Sequence, residues 1–305
     1  AKPVHTLTVE EARTQPTPAD AAKVVAEEKT GKPAVPEAVG KVEDIKVDGA
    51  AGQLDARAYW PAGVAAGTAL PVIVYFHGGG WVIANLDVYD ASPRALANQA
   101  KALVVSVHYR QGPEDKFPAA HDDAVAAYSY IVDNAQKWGG NGAKVALAGE
   151  SAGGNLALNV PIAARDQKLT APLTVLAVYP VAGSDLTTKS YVDNQNAVPL
   201  GKADIGWFVG HYLKSMDEAK DKRIDIVGGA DLSGLPPVTI VAAEIDPLNT
   251  EGVTLRDKLK AAGNDVSYEN WNGVTHEFFG MAAVVADAKA AQDFSGAALR
   301  KAFRN

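Results

Sequence analysis

Lys144-Val145-Ala146-Leu147-Ala148-Gly149-Glu150-Ser151-Ala152-Gly153-Gly154-Asn155 decides the fold: an apolar run leads into a serine flanked by glycines, then into a helical pattern from Ala152 to about Ala164. The spacing predicts a sharp strand-to-helix turn with Ser151 at its apex. Gly149 and Gly153, two residues to either side, keep neighbouring side chains away from a serine whose backbone is strained. Its hydroxyl is then held exposed. The Ala152 N–H at the start of the helix points toward the space above that hydroxyl, and the helix dipole favours negative charge there. Such a serine is a candidate nucleophile, and open α/β sheets build their sites at strand ends.

Gly-x-Ser-x-Gly alone also describes an ordinary turn, so a second segment matters. Val72-Ile73-Val74-Tyr75-Phe76 is another apolar, β-branched run, and it leads into His77-Gly78-Gly79-Gly80-Trp81. Consecutive glycines let backbone N–H groups approach a substrate oxygen unobstructed, which makes the loop a candidate anion cradle. The remaining requirement is a base. The chain has 6 histidines: His5, His77, His108, His121, His211 and His276. His5 lies in a polar lead, and His77 belongs to the glycine loop, where a structural hydrogen bond suits it. His108 belongs to the strand run Leu103-Val104-Val105-Ser106-Val107, and His121 and His211 lie in helical pattern and read as structural or surface groups. His276 remains. It falls in the turn-rich stretch Trp271–Phe279, after the strand-like run Asp265-Val266-Ser267-Tyr268-Glu269. The acid that orients it belongs at the end of another late strand. Pro237–Pro247 offers Glu244 and Asp246, and Asp246 is the better choice because Pro247 forces the chain out of the strand there.

The chain order Ser151, Asp246, His276 is that of the α/β-hydrolases and not that of either serine-protease type. With the glycine loop and the serine motif, Tyr109-Arg110, Pro113-Glu114, Phe117-Pro118-Ala119-Ala120 and Asp246-Pro247-Leu248 resemble the hormone-sensitive-lipase-like esterases, also called bacterial family IV. The resemblance runs from about Leu70 to about Phe279. It implies Ser151 as nucleophile, His276 as general base and then acid, and Asp246 as its partner. It further implies an oxyanion hole made by the N–H groups of Gly79, Gly80 and Ala152. The chain departs from the family pattern at Gln111-Gly112, Glu150, Glu277 and Asn249-Thr250. Glu277 stands where the family often has glycine, and is read as tuning the His276 pKa or narrowing the pocket.

A chain of 305 residues with 47% apolar content and no internal repeat is long enough for one large α/β domain. Strand-like runs near 42–48, 54–60, 71–76, 103–108, 144–149, 173–178, 237–243 and 266–271 alternate, from the third onward, with helical patterns near 92–101, 117–135, 151–165, 250–262 and 283–303. This predicts an α/β-hydrolase fold, a mostly parallel central sheet of about eight strands flanked by helices. Ser92 and Pro93 read as N-cap and first residue of the helix near 92. Residues 1–40 and 184–227 do not fit the repeat, and are read as an N-terminal cap segment and a cap insertion within a catalytic domain spanning 41–305. Trp81, Glu150, Trp207, Phe208 and Tyr212 are candidate pocket residues, with the last three placed roughly on one helical face.

The balance of 29 Lys and Arg against 36 Asp and Glu, a net charge of −7, argues against nucleic acid or anionic membrane as a partner. A small neutral ester suits it better. No run approaches the ~18 apolar residues of a membrane span. Cysteine is absent, which removes thiol catalysis, disulfides and thiolate metal sites, and no metal or other cofactor is implied. The polar lead resembles that of exported family members, which favours periplasm or secretion over cytoplasm. Family members are often dimers, so the resemblance allows a homodimer. The expected activity is hydrolysis of short- to medium-chain acyl esters. An amidase, a carbamate hydrolase or an acyltransferase on the same triad is the alternative. The plant gibberellin receptors resemble the family but lack the catalytic histidine, so His276 weighs against a purely ligand-binding role.

Overall fold

Runs that are apolar at every position, rather than at alternate ones, belong to strands buried on both faces, and the computed structural model, which describes residues 1–65 and 67–304, places them so. The strands are β1 (Lys41–Gly49), β2 (Gly52–Trp60), β3 (Leu70–Phe76), β4 (Leu103–Val107), β5 (Gly140–Glu150), β6 (Val175–Val178), β7 (Val238–Ile245) and β8 (Val266–Thr275). They form one 8-stranded sheet in the order β1-β2-β4-β3-β5-β6-β7-β8. The β1–β2 hairpin is antiparallel and β2 joins β4 antiparallel, while every pair from β4 to β8 is parallel. Helices α1 (Val9–Thr14) and α2 (Pro18–Thr30) precede the sheet. Then come α3 (Ala91–Ala100), α4 (Ala119–Asn134), α5 (Ala152–Gln167), α6 (Lys189–Asp193), α7 (Lys202–Tyr212), α8 (Ile226–Gly229), α9 (Asn249–Ala261) and α10 (Ala286–Arg304).

Side chains alternate across the sheet, so each strand feeds two cores. On one face Val72, Val74 and Phe76 of β3 and Leu147 of β5 join Ala124, Ile131, Leu156, Val160 and Leu255 of α4, α5 and α9. On the other, Ile73, Tyr75, Ala146 and Ala148 meet Leu96 and Ala97 of α3 and Ala291, Leu299 and Phe303 of α10. The chain winds from β3 to β4 on one side and then crosses to β5 on the other. The strand order therefore reverses between β3 and β5, where Phe76 pairs with Gly149. A crevice opens beyond the strand ends at such a switch point, and the glycine loop and Ser151 both begin there.

Three expectations are corrected. The helix near 92 begins at Ala91 with Asp90 as N-cap, so Ser92 lies within the first turn. Asp90 accepts from Tyr59 Oη, 31 positions away, at 2.9 Å and from Arg94 Nε, one turn into the helix, at 2.6 Å, and these partners hold its carboxylate at the helix start. Strand β8 continues through the stretch read as turns and ends at Thr275, because Ala243 and Ile245 of β7 pair with Trp271 and Thr275 across a register shift. On α7, Trp207 and Tyr212 do not share a face. Phe208 and Tyr212, four residues apart, point toward the glycine loop, whereas Trp207 pairs with His211 and donates its indole N–H to the Leu7 carbonyl at 3.1 Å. Among the described residues, no helix is long and apolar enough to cross a membrane.

Candidate active site

Ser151 stands between β5 and α5 with φ 57° and ψ −119°, a conformation that costs a side-chain-bearing residue about 1–3 kcal/mol. The surrounding backbone holds it there. Ser151 N–H donates to the Val178 carbonyl at 2.9 Å, and its own carbonyl accepts from Asn155 at 3.1 Å and Val181 at 3.2 Å. Close approach makes Gly153 necessary, since a Cβ there would lie 2.0 Å from the Phe76 carbonyl oxygen and 2.4 Å from that of His77. The turn and the glycine loop are thus pressed together.

Three side chains from three strand ends meet at this turn. His276, which follows β8 directly, has Nε2 2.9 Å from Ser151 Oγ and Nδ1 2.6 Å from Asp246 Oδ2. The other Asp246 oxygen accepts the Leu248 N–H at 2.9 Å, which fixes the carboxylate just beyond β7. Ser151, His276 and Asp246 are 6%, 2% and 0% exposed, so the contacts operate largely out of water. Burial disfavours the imidazolium, but Asp246, then Glu277 and Glu150, outweigh it and raise the His276 pKa above its ordinary value.

The glycine loop is shaped by its own partners. Gly79 (φ 100°) and Gly80 (φ 59°) adopt left-handed backbone, and the Gly79 carbonyl accepts from Val82 at 3.0 Å and Ile83 at 2.9 Å. Tyr109 Oη donates to the His77 carbonyl at 2.7 Å, and His77 Nε2 meets His108 Nδ1 at 3.1 Å. Burial pushes the His77 pKa down to about 3, so the ring is a neutral structural group. Among the described residues, none accepts a hydrogen bond from the Gly79, Gly80 or Ala152 N–H groups, which leaves three backbone donors near Ser151.

The pocket candidates divide. Phe208 packs directly on Gly80, where an added Cβ would come within 2.3 Å of its ring. Trp81 is buried and stacks on Tyr212 with ring centroids 4.9 Å apart. Tyr212 and Glu150 are both buried, with their polar atoms engaged by neighbouring side chains. Tyr212 is fully buried with its hydroxyl 2.9 Å from His121 Nδ1, and burial takes the His121 pKa down to about 4. Glu150 is 1% exposed and accepts from Tyr75 Oη at 2.6 Å and Tyr179 Oη at 2.5 Å. The Tyr179 ring lies 4.5 Å from that of His276. Tyr75, Tyr89 and Tyr179 were not singled out in the sequence, and only the acidic departures Glu150 and Glu277 hinted that polar partners were needed nearby.

Other departures have structural partners. Gln111 Nε2 donates to the Ile83 carbonyl at 2.7 Å, which ties the Tyr109-Arg110 segment to the glycine loop. Asn249 Nδ2 donates to the Ala243 carbonyl and to Asn270 Oδ1, both at 2.7 Å, joining β7 to β8. Among the described residues, no group of three or more His, Cys, Asp or Glu side chains could hold a metal ion.

A family model described as alpha/beta hydrolase fold matches residues 73–280. The chain is 39% identical over 249 residues to carboxylesterase NlhH of Mycobacterium tuberculosis, covering 81% of this chain and 77% of that protein. It is 31% identical over 288 residues to ethyl acetate hydrolase of Pseudomonas putida, covering 94% and 88%. Among solved structures, the hyperthermophilic esterase of the archaeon Pyrobaculum calidifontis matches with a TM-score of 0.88 at 33% identity, covering 97% of this chain and 94% of that one.

Proposed function

This chain belongs to the hormone-sensitive-lipase-like (bacterial family IV) branch of the α/β-hydrolases and is a carboxylic ester hydrolase, and on that premise we propose that it cleaves short- to medium-chain acyl esters through Ser151, His276 and Asp246. The observation that carries the proposal is the continuous contact from Ser151 Oγ through the imidazole to Asp246, at 2.9 and 2.6 Å. His276 Nε2 takes the serine proton as Oγ attacks the ester carbonyl. The oxyanion that develops accepts hydrogen bonds from the Gly79, Gly80 and Ala152 N–H groups, and one such bond contributes about 2.7–4 kcal/mol of transition-state stabilisation. His276 then protonates the leaving alcohol. Water, deprotonated by the same nitrogen, attacks the acyl-enzyme and releases the acid. Asp246 keeps Nδ1 protonated and stabilises the imidazolium.

The cap in this proposal is made by 1–40 and 184–227 together. His5 Nδ1 meets Asp204 Oδ1 at 2.7 Å, Trp207 bonds to Leu7, and Arg13 Nε donates to the Val82 carbonyl at 2.9 Å, so both segments lean on the glycine loop. Phe208 over Gly80 confines the space for the acyl chain, and the Pseudomonas putida relative is named for hydrolysis of ethyl acetate, a small acetyl ester. The test is a series of p-nitrophenyl esters from acetate to palmitate, with butyryl p-nitroanilide alongside. The proposal predicts kcat/KM highest between acetate and hexanoate and lower by orders of magnitude for palmitate and the anilide. Faster turnover of palmitate or of the anilide would overturn the substrate reading.

A further inference from the structure

His276 meets a carboxylate at each ring nitrogen. Asp246 Oδ2 is 2.6 Å from Nδ1, while Glu277 Oε1 is 4.0 Å from Nε2, the nitrogen that also contacts Ser151 Oγ at 2.9 Å. The backbone does not favour a side chain at this position. Glu277 has φ 73°, in the left-handed region that glycine enters freely and other residues enter at a cost. An unfavourable local conformation retained beside a reacting atom points to a role for the side chain.

The surroundings of that side chain are built. Tyr89 Oη donates to Glu277 Oε1 at 2.5 Å, and a cavity of about 30 Å³ is bounded by Tyr89, Ser92, Glu150, Glu277 and Met281. Glu150 enters the same cluster with its oxygens occupied by Tyr75 and Tyr179. The titratable and charged groups facing Glu277 are His276 on its own segment, Tyr89 before α3, Tyr75 in β3, Glu150 ending β5, Tyr179 after β6 and Asp246 after β7. No lysine or arginine is among them. Two carboxylates in one cluster resist ionising together, and the better-solvated one keeps the charge. Glu150 is 1% exposed, whereas the Glu277 side chain is 21% exposed. Burial first, and the Glu277 charge next, push the Glu150 pKa up to about 7. Burial also raises the Glu277 pKa, opposed by the His276 charge and the Tyr89 hydrogen bond, so of the two carboxylates Glu277, better solvated and beside the imidazole, is the one that carries charge more readily.

We propose that Glu277 is a positioning residue of the hydrolysis, a second anionic partner that stabilises the His276 imidazolium from the Nε2 side each time the ring carries the serine or water proton. This rests on His276 being the base. The role goes beyond narrowing the pocket, because it acts through the charge of the histidine.

The experiment is the pH dependence of kcat/KM for p-nitrophenyl butyrate in wild type, Glu277→Gln, Glu277→Gly, Glu277→Asp and His276→Ala, with thermal melts of each. The acid limb is expected to move down by about one pH unit in the Gln and Gly variants, with several-fold lower kcat on the plateau, since an opposite charge at this range raises a histidine pKa by such amounts. The Asp variant is expected to recover part of the shift. In Glu277→Gly the relief of the φ 73° backbone opposes the loss of the acceptor for the Tyr89 hydroxyl, so the melts serve to verify that each variant is folded. An unmoved acid limb in folded Glu277→Gln and Glu277→Gly, with His276→Ala inactive, overturns this proposal alone. Retained activity in His276→Ala overturns the base assignment and this proposal with it.

Discussion

Burial alone pushes every histidine toward the neutral form, and His77 and His121 show it, with pKa values pushed down to about 3 and about 4. His276 is buried as deeply, yet Asp246 at 2.6 Å, with Glu277 and Glu150 beyond, turns its shift upward. A base must be neutral to accept a proton, so activity is present above the His276 pKa and lost as pH falls through it. The acid limb of kcat/KM should therefore have its midpoint above the ordinary 6.5, and Asp246→Asn should move that midpoint down while lowering kcat on the order of 10³–10⁴-fold. A pH–rate profile of both proteins checks this, and a limb that does not move contradicts it. The three triad candidates could be read from the sequence because each stands at a strand end marked by glycine, proline or elimination among 6 histidines. The tyrosines around Glu150 could not. Tyr75 lies inside an apolar run and reads as core, and its hydroxyl finds a partner 75 positions away that only the sheet brings close.

Strands and helices with a clean periodicity were legible, and the elements that were not are those governed by distant partners. Asp90 precedes α3 with its carboxylate held by Tyr59, 31 positions away, as well as by Arg94 one turn on, and the Tyr59 contact is one that the local Ser92-Pro93 signal does not contain. The turn-like composition of Asn272-Gly273 is overridden by the neighbouring strand β7, which carries β8 on to Thr275. Helix α1 gives the clearest link between an outlying element and the site. Arg13 donates to the Val82 and Gly112 carbonyls at 2.9 Å each and to both Glu114 oxygens at 2.8 Å, so one side chain fastens the N-terminal segment to the loops after β3 and β4. The Arg13 and Glu114 side chains are 31% and 58% exposed, which discounts the pair. Arg13→Ala should destabilise by about 1–2 kcal/mol, a fall in Tm of roughly 1.5–3 °C for a chain of 305 residues. A thermal scan checks it, and an unchanged Tm would show that the N-terminal segment is held by other contacts.

At the scale of the whole molecule, the reversal of strand order between β3 and β5 places the glycine loop and the serine turn side by side, and the later strands β7 and β8 deliver Asp246 and His276 to the same edge. The mostly parallel sheet and its flanking helices were legible because both faces of each inner strand are covered, which leaves uninterrupted apolar runs in the sequence. The placement of 1–40 and 184–227 was not, since those segments repeat no periodic unit and are held by side-chain contacts between residues far apart in sequence, such as Trp207 to Leu7 and His5 to Asp204. The central claim is that Ser151, activated by His276, carries the ester hydrolysis. The most direct measurement is the rate of p-nitrophenyl butyrate hydrolysis by purified wild type, Ser151→Ala and His276→Ala, each verified as folded by circular dichroism. The account predicts turnover by the wild type and a fall of several orders of magnitude in both variants. Wild-type rates in a folded Ser151→Ala protein would contradict it.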